Sequence, residues 1–224
     1  MRVLVCGAAP EPDGEEHYRS LLSAARFVVA ADAGAEWAVG LGRVPEIAVG
    51  DFDSALPGAV ERLRHLGVEV VVYPADKDAS DLDLALAEAR KRGADAVTFT
   101  AMTSRRLDHT LAALGTMAGA ADLSAELDEP SLGAWPLDAG SRPALALEGL
   151  AGALVSVFAF DGTAEGVTET GMCFPLQDAR LAPFSSLGLS NALAGYRASV
   201  SLTGGRALVL AQGPPHARAR MARG

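Results

Sequence analysis

The first half of the chain alternates short apolar runs with longer segments of helical periodicity. The runs are continuous and rich in β-branched residues, which is typical of strands buried on both faces of a parallel sheet. The pattern predicts five strands, over residues 3–6, 27–31, 47–49, 68–72 and 96–100. It predicts helices between and after them, over residues 15–25, 34–41, 59–66, 82–92 and 110–121. This alternation indicates an α/β fold in which helices flank a mostly parallel sheet.

The pattern changes after about residue 128. Residues 129–143 are rich in Gly, Pro and Ser, which predicts a linker. Hairpin-like strand runs follow over residues 153–160, 167–174, 197–202 and 206–210, with turn signals at Asp161-Gly162 and Thr203-Gly204-Gly205. We therefore expect an α/β domain at 1–128, a linker at 129–143, a smaller antiparallel β domain at 144–212 and a disordered tail at 213–224.

Composition narrows the functional classes. The 224 residues are 50% hydrophobic, so a sizeable core can form without disulfides, and Cys6 and Cys173 are expected to be small buried side chains in a reducing compartment. A net charge of −9 argues against a nucleic-acid partner, because such proteins need a basic face. No apolar run approaches about 18 residues and the opening residues turn polar too soon for a signal peptide, so we expect no membrane association and a cytoplasmic protein.

Carboxylates follow four of the predicted strands, at the edge where open α/β sheets place their ligands. Each one alone is compatible with a turn or a helix cap. Carboxylates gathered in one place repel one another unless a cation neutralises them. The four groups are Asp32, then Asp51 and Asp53, then Asp76, Asp78 and Asp81, and finally Asp108.

The segment Gly50-Asp51-Phe52-Asp53-Ser54 carries the sharpest signal. If the segment is extended, Asp51 and Asp53 project to the same side. Two carboxylates on one side suit Mg²⁺, which takes one or two carboxylates together with water and substrate phosphates. The alternative is an Asx-turn at the end of a strand.

Two further segments each allow a structural and a functional interpretation. In Lys77-Asp78-Ala79-Ser80-Asp81, Ser80 and Asp83 form a capping box, or else Asp78 and Asp81 face the crevice while Lys77 meets a phosphate. In Arg105-Arg106-Leu107-Asp108-His109, Arg106 pairs with Asp108 or binds phosphate, and Arg105 is a second candidate for a phosphate contact. A single histidine such as His109 is more often a hydrogen-bonded structural residue than a catalytic base.

Taken together, these segments resemble the thiamin pyrophosphokinase family. The matching stretches are Ala31-Asp32-Ala33-Gly34-Ala35, Gly50-Asp51-Phe52-Asp53-Ser54, Lys77-Asp78-Ala79-Ser80-Asp81 and Arg106-Leu107-Asp108-His109. In the C-terminal part, Gly171-Met172-Cys173-Phe174-Pro175-Leu176 and Gly188-Leu189-Ser190-Asn191 are similar to the β-domain signatures of that family. Each motif alone is weak, whereas the ordered set is specific and extends from about Val3 to Leu210.

The resemblance implies an α/β nucleotide-binding domain followed by a small β-sandwich, in a homodimer that lodges thiamin between the α/β domain of one subunit and the β domain of the other. It implies transfer of a pyrophosphoryl group from ATP to the hydroxyl of thiamin, with release of AMP and with Mg²⁺ as cofactor. The implied catalytic residues are Asp32, Asp51, Asp53 and Asp81, of which Asp51, Asp53 and Asp81 bind the metal. The implied ATP-binding residues are Lys77, Asp78, Arg105, Arg106, Asp108 and His109, and the implied thiamin-binding residues are Ser190 and Asn191.

Two departures from the family pattern leave alternatives open. The loop Ala101-Met102-Thr103-Ser104-Arg105 stands where the family carries glycines, and Ala33 and Ala192 replace a common Gly and a common acid. A pyrophosphokinase for another hydroxymethyl heterocycle, such as a pterin, has the same acids and a different pocket. A second alternative is a non-catalytic homologue that binds thiamin or a nucleotide without turnover. A third is a phosphatase that uses Asp51 as nucleophile, but the sequence contains no second motif of such an enzyme.

Overall fold

The computed structural model describes residues 1–53, 55–76, 78–103 and 106–222, which fall into two units, Met1–Thr116 and Met117–Gly224. Strands of the first unit have the order β5-β1-β2-β3-β4, and every neighbouring pair is parallel. Nearly every residue of the four strands β1, β2, β3 and β5 is buried, as the continuous apolar runs predict. The strands are β1 Arg2–Cys6, β2 Val28–Ala31, β3 Ile47–Gly50, β4 Glu69–Val72 and β5 Ala96–Thr100.

Five helices connect and flank these strands. They are α1 Glu15–Ala24, α2 Gly34–Gly40, α3 Ala59–His65, α4 Asp81–Lys91 and α5 Leu107–Ala118. Helix α4 begins with the predicted capping box, because Ser80 Oγ accepts a hydrogen bond from the Asp83 N–H at 3.2 Å and Asp83 Oδ2 accepts one from the Ser80 N–H at 3.0 Å. Helix α5 begins at Leu107, earlier than the predicted residue 110. The α/β architecture is therefore confirmed.

The second unit contains two antiparallel sheets. One has the order β12-β9-β14-β7-β6 and the other the order β11-β10-β13-β8-β15. Buried side chains from both sheets, such as Leu137 and Leu147, share one core, which makes this unit a β-sandwich. The strands are β6 Ser124–Asp128, β7 Leu132–Asp138, β8 Ala144–Glu148, β9 Leu154–Ala159, β10 Ala164–Thr170, β11 Ala179–Leu181, β12 Asn191–Ala192, β13 Arg197–Ser201, β14 Arg206–Gln212 and β15 Arg220–Met221, with a 3-10 helix at Ser186–Gly188.

The predicted hairpins of this unit are crossings between sheets. Strands β9 and β10, which flank Asp161-Gly162, lie in different sheets, and so do β13 and β14, which flank Thr203-Gly204-Gly205. A turn dipeptide specifies that the chain reverses, but burial of the strand faces decides which sheet receives the next strand. The hairpin interpretation of these two turns was therefore wrong.

Residues 129–143 contain strand β7 and do not form an irregular linker. Trp135 and Leu137 are buried in the sandwich core, and a Cβ at Gly133 would make a close contact of 3.0 Å with the Trp135 ring. The Gly and Pro content that indicated a linker reflects close packing inside the sheet. The two units meet in the chain at Thr116 and Met117, ahead of the predicted boundary at 128.

The described part of the predicted tail, residues 213–222, is ordered by packing and pairing. Ala219 is fully buried, β15 pairs with β8, and the buried Arg218 guanidinium donates hydrogen bonds to the Asp128 carboxylate and the Glu129 carbonyl. The basic composition of the tail disguised these contacts, so the prediction of a disordered tail was wrong up to residue 222.

Cys6 and Cys173 differ in environment. Cys6 is buried in the first unit, and burial raises the pKa of its thiol to about 12. Cys173 is exposed, so the expectation that both thiols are buried fails for this one. Across the described residues, helix length and hydropathy rule out a membrane-spanning helix.

Candidate active site

The acidic residues of the first unit lie just beyond the ends of its parallel strands. Asp32 follows β2, and its backbone N–H donates a hydrogen bond of 2.8 Å to the carbonyl of Val49 in β3. Gly50 passes close to Asp32, because a Cβ at Gly50 would lie 3.1 Å from the Asp32 Cα. The absence of a side chain at Gly50 therefore lets the ends of β2 and β3 bring their acids together.

The Asp51-Phe52-Asp53 segment is a turn and is not extended. Phe52 has a φ of 58°, and the Asp53 N–H donates to Asp51 Oδ1 at 3.3 Å, as in an Asx-turn. Phe52 packs against the apolar core of the sheet. Asp51 and Asp53 still place their carboxylates close together. They do so through an Asx-turn, which the sequence analysis gave as the alternative to an extended segment.

Three carboxylates form a compact group at this edge. Asp32, Asp51 and Asp53 each place one oxygen within 4.8 Å of the others. Asp32 is buried, Asp51 is half-buried and Asp53 is exposed, so the group opens towards solvent on one side. Hard oxygen donors in this arrangement fit a divalent cation such as Mg²⁺, whose charge offsets their mutual repulsion.

A large cavity of about 970 Å³ lies beside this group. Asp32 lines it from the end of β2, and Asp81 lines it from the first residue of α4. Asp81 was expected among the metal ligands, whereas the described three-carboxylate group contains Asp32 in its place. Asp81 instead is one of the residues that line the cavity.

The backbone approaches itself closely at this cavity. A Cβ at Gly7 would lie 2.5 Å from the Ala101 carbonyl oxygen, and a Cβ at Gly34 would lie 2.4 Å from the carbonyl oxygen of Gly7. Ala101 itself has a φ of 53°, in the left-handed region that L-residues adopt at a cost. Ala101 therefore has a backbone conformation that glycine adopts more readily, at the point where Gly7 approaches it most closely.

The start of α5 supplies the cationic side of the cavity. Arg106, Asp108 and His109 all line it. The Arg106 guanidinium binds the Asp108 carboxylate at 2.7 Å, which lowers the pKa of Asp108 to about 2 and raises that of Arg106. Both side chains are about two-thirds exposed, so this ion pair contributes little stability and a phosphate can compete for the guanidinium.

The other three predicted ATP contacts, Lys77, Asp78 and Arg105, stay predictions. Asp78 is exposed in the turn before α4 and does not belong to the described residues that line the cavity. Lys77 and Arg105 lie outside the described residues, as does Ser54 of the Asp51 motif.

In the second unit, the two predicted thiamin contacts have different environments. Ser190 is exposed, with a φ of 59°, and its N–H donates to Ser156 Oγ at 3.0 Å. The Asn191 amide is buried: its oxygen accepts from the N–H groups of Phe174 and Ala192, and its nitrogen donates to Glu169 and to the Phe174 carbonyl. All four hydrogen-bonding positions of Asn191 are used within the protein, so its amide supports the neighbouring loop, and its contact with thiamin stays a prediction.

Comparison with known proteins identifies the family. Residues 18–127 match the family model of the thiamin pyrophosphokinase catalytic domain. The thiamine pyrophosphokinase of Bacillus subtilis (strain 168) is 35% identical over 83 residues, which span 37% of this chain and only 39% of that relative. Residues 18–127 of this chain therefore belong to the thiamin pyrophosphokinase catalytic-domain family.

Solved structures show the same fold over nearly the whole chain. The thiamine pyrophosphokinase structure from Bacillus subtilis has a TM-score of 0.80 at 22% identity, covering 95% of this chain and 99% of that one. The structure from Geobacillus thermodenitrificans has a TM-score of 0.76 at 22% identity, covering 97% and 100%. The yeast thiamin pyrophosphokinase structure has a TM-score of 0.74 at 9% identity, covering 94% and 86%.

Within this family fold, the structure adds residues that the sequence did not single out. Phe174 is 78% exposed in a loop of the second unit, although its backbone N–H and C=O are both held by Asn191. Glu169 is buried at a core-facing position of β10, two residues after the buried Val167. A glutamate on the apolar side of a strand with period two is the signal that would have found it. Gly7 was also not singled out, although a glycine directly after a buried strand indicates a close approach of the backbone.

Proposed function

We propose that this protein is a thiamin diphosphokinase that transfers a pyrophosphoryl group from ATP to the hydroxyl of thiamin, giving thiamin diphosphate and AMP. One observation carries the proposal. In a chain of this family, the oxygens of Asp32, Asp51 and Asp53 lie within 4.8 Å of one another beside a cavity of about 970 Å³. A cavity of this size accommodates a nucleoside triphosphate and part of a second substrate.

Asp32, Asp51 and Asp53 are the residues that would hold Mg²⁺. When bound, the ion would neutralise charge on the polyphosphate of ATP. Arg106 lines the same cavity, and its guanidinium fork can bind phosphate oxygens in place of the Asp108 carboxylate. The protein thereby positions the triphosphate and stabilises its charge, which is the main requirement of phosphoryl transfer.

The reaction needs a proton acceptor but no covalent nucleophile. The thiamin hydroxyl oxygen attacks the β-phosphorus of ATP, the bond from that phosphorus to the α–β bridging oxygen breaks, and AMP leaves with that oxygen. The hydroxyl proton passes to a carboxylate. Asp81 is the candidate acceptor, because it lines the cavity while Asp32 belongs to the three-carboxylate group.

The second unit is proposed to bind the heterocycle of thiamin in a homodimer. The exposed Ser190 offers a hydroxyl group, and the exposed Phe174 offers an aromatic face for a flat ring. Asn191 holds the loop that carries Phe174. Phe184, Leu187 and Leu189 are also more than half exposed in this unit, and apolar surface of this kind is typical of an interface with another copy.

A product assay tests the proposal. The purified protein is incubated with ATP and Mg²⁺, with thiamin, with a hydroxymethyl pterin or with neither, and AMP and the pyrophosphorylated product are quantified by chromatography. The proposal expects AMP release that depends on thiamin and yields thiamin diphosphate in equal amount. Pterin-dependent AMP release alone would assign another heterocycle. Calorimetric binding of thiamin by folded protein without product would identify a non-catalytic homologue.

A further inference from the structure

Glu169 is a buried carboxyl group on strand β10 that the proposed chemistry does not use. It is 2% exposed, and burial raises its pKa, while hydrogen bonds from the backbone of Leu176 and the side chain of Asn191 oppose that rise. Its Oε2 accepts the Leu176 N–H at 3.2 Å and the Asn191 Nδ2 at 2.8 Å. Because burial of a carboxyl group is costly, a leucine would suit this core position better unless these two bonds matter.

Asn191 extends the hydrogen bonds of Glu169 to the loop of residues 171–176, called the β10 loop below. Asn191 Nδ2 donates to the Phe174 carbonyl at 2.9 Å, and Asn191 Oδ1 accepts the Phe174 N–H at 3.0 Å. The Glu169 backbone N–H also donates to the Leu176 carbonyl at 2.9 Å. The two buried side chains therefore hold both the middle and the end of the loop.

The beginning of the β10 loop is fixed by backbone contacts. The Gly171 carbonyl accepts the Ala194 N–H at 2.8 Å, and the Cys173 N–H donates to the Ala192 carbonyl at 2.8 Å. A Cβ at Gly171 would lie 2.2 Å from the Arg197 carbonyl oxygen. The loop thus has a pinned backbone, while the side chains of Cys173 and Phe174 point to solvent. A fixed backbone that exposes an aromatic ring is a feature of binding surfaces.

We propose that Glu169 is a positioning residue, which through Asn191 fixes the β10 loop so that Phe174 is held ready for the heterocyclic substrate. This inference rests on the proposed function for the identity of that substrate. Glu169 does not touch the substrate, and its loss acts through the mobility of the loop. The expected consequence is weaker binding of the heterocycle, with the phosphoryl-transfer machinery of the first unit unchanged.

Hydrogen exchange tests whether Glu169 fixes the β10 loop, and it needs no enzymatic activity. In E169A, the peptide that covers residues 171–176 is expected to exchange about tenfold faster, because the Leu176 N–H loses its acceptor and Asn191 loses its orientation. E169L fills a similar buried volume but has no hydrogen-bond acceptor, and this variant is measured if E169A does not fold. E165A, which removes an exposed carboxylate from the same strand, is the matched control and should leave this exchange unchanged. Unchanged exchange in both E169A and E169L would overturn the inference.

Kinetics test the positioning role. E169A or E169L is expected to raise the thiamin KM about tenfold while kcat and the ATP KM stay within about twofold, and E169Q, which retains an acceptor, should stay within about threefold of wild type. An unchanged thiamin KM, or an equal loss in all three parameters, would overturn the positioning role. If the wild type shows no thiamin-dependent AMP release, the proposed function fails. The hydrogen exchange result alone then decides whether Glu169 fixes the β10 loop.

Discussion

The three carboxylates at the sheet edge lie close together because single residues of their loops have positive φ values. Asp32 and Phe52 have φ values of 47° and 58°, in the left-handed region that costs of order 1–3 kcal/mol per residue. Residue order alone predicts which acids follow strands, and this part of the prediction needed no structure. It does not reveal positive φ values in non-glycine residues, so the turn at Phe52 emerged only from the structure. The structure also shows that Asp32, and not Asp81, completes the three-carboxylate group with Asp51 and Asp53.

The buried carboxyl group of Glu169 leads us to predict how the stability of the protein depends on pH. Burial raises its pKa above the ordinary 4.5, so the folded protein binds this proton more tightly than the unfolded chain does. The stability that the neutral acid contributes is therefore present below the ordinary pKa and is lost as pH rises through the raised pKa. E169Q has no such group, so the free energy of unfolding of the wild type should fall relative to E169Q as pH rises from the ordinary pKa through the raised one. Urea unfolding at several pH values measures this difference, and a constant difference would contradict the raised pKa.

At the scale of elements, the prediction works where burial is uniform. Strand β5 has the predicted bounds, and β2 and β3 differ from theirs by one residue, because strands covered on both faces are marked by continuous apolar runs. Strand β7 was missed because Gly133 and Pro136 are turn-forming residues in most contexts. The place of Gly133 in the sheet depends on close packing against Trp135 and Arg218 that local sequence does not encode.

Two glycines of helix α2 provide a matched prediction about this element. Gly34 starts the helix where a Cβ would lie 2.4 Å from the Gly7 carbonyl oxygen, whereas nothing lies within 4 Å of a Cβ at Gly40. We expect G34A to destabilise the protein by about 1–3 kcal/mol through overpacking, and G40A to stabilise it by about 0.4–1 kcal/mol. Urea denaturation of both variants checks this, and equal effects would contradict the close approach of α2 to the end of β1.

For the whole molecule, the sequence predicts two kinds of architecture but not how the β strands are distributed. The parallel sheet follows from βα alternation, and strands β1 to β4 are neighbours in chain order, whereas β5 pairs with β1 and its place does not follow from the alternation. In the second unit, turn signals predict reversals, and the assignment of β9 and β10 to different sheets depends on which faces share the core. The family resemblance covered both units, and the comparisons bear it out through the catalytic-domain model and the shared fold.

The proposed homodimer is a prediction at this same scale. The exposed apolar side chains of the second unit, among them Phe184 and Leu187, favour association with another copy. Sedimentation equilibrium is expected to give a mass of about 46 kDa, twice the 23.0 kDa of one chain. A mass near that of one chain at micromolar concentration would contradict the dimer.

The rate of thiamin-dependent AMP release as a function of Mg²⁺ concentration, compared between wild type and D51N, tests the central claim most directly. Removing one carboxylate of the group takes away several kcal/mol of charge stabilisation, so we expect D51N to lose on the order of 100-fold or more in rate. Its melting temperature without metal should stay near that of wild type, because one of three mutually repelling charges is removed. D178N, a change at an exposed aspartate of the second unit, is the control and should be as active as wild type. Full Mg²⁺-dependent activity in D51N, or a D51N protein that does not fold, would contradict the account.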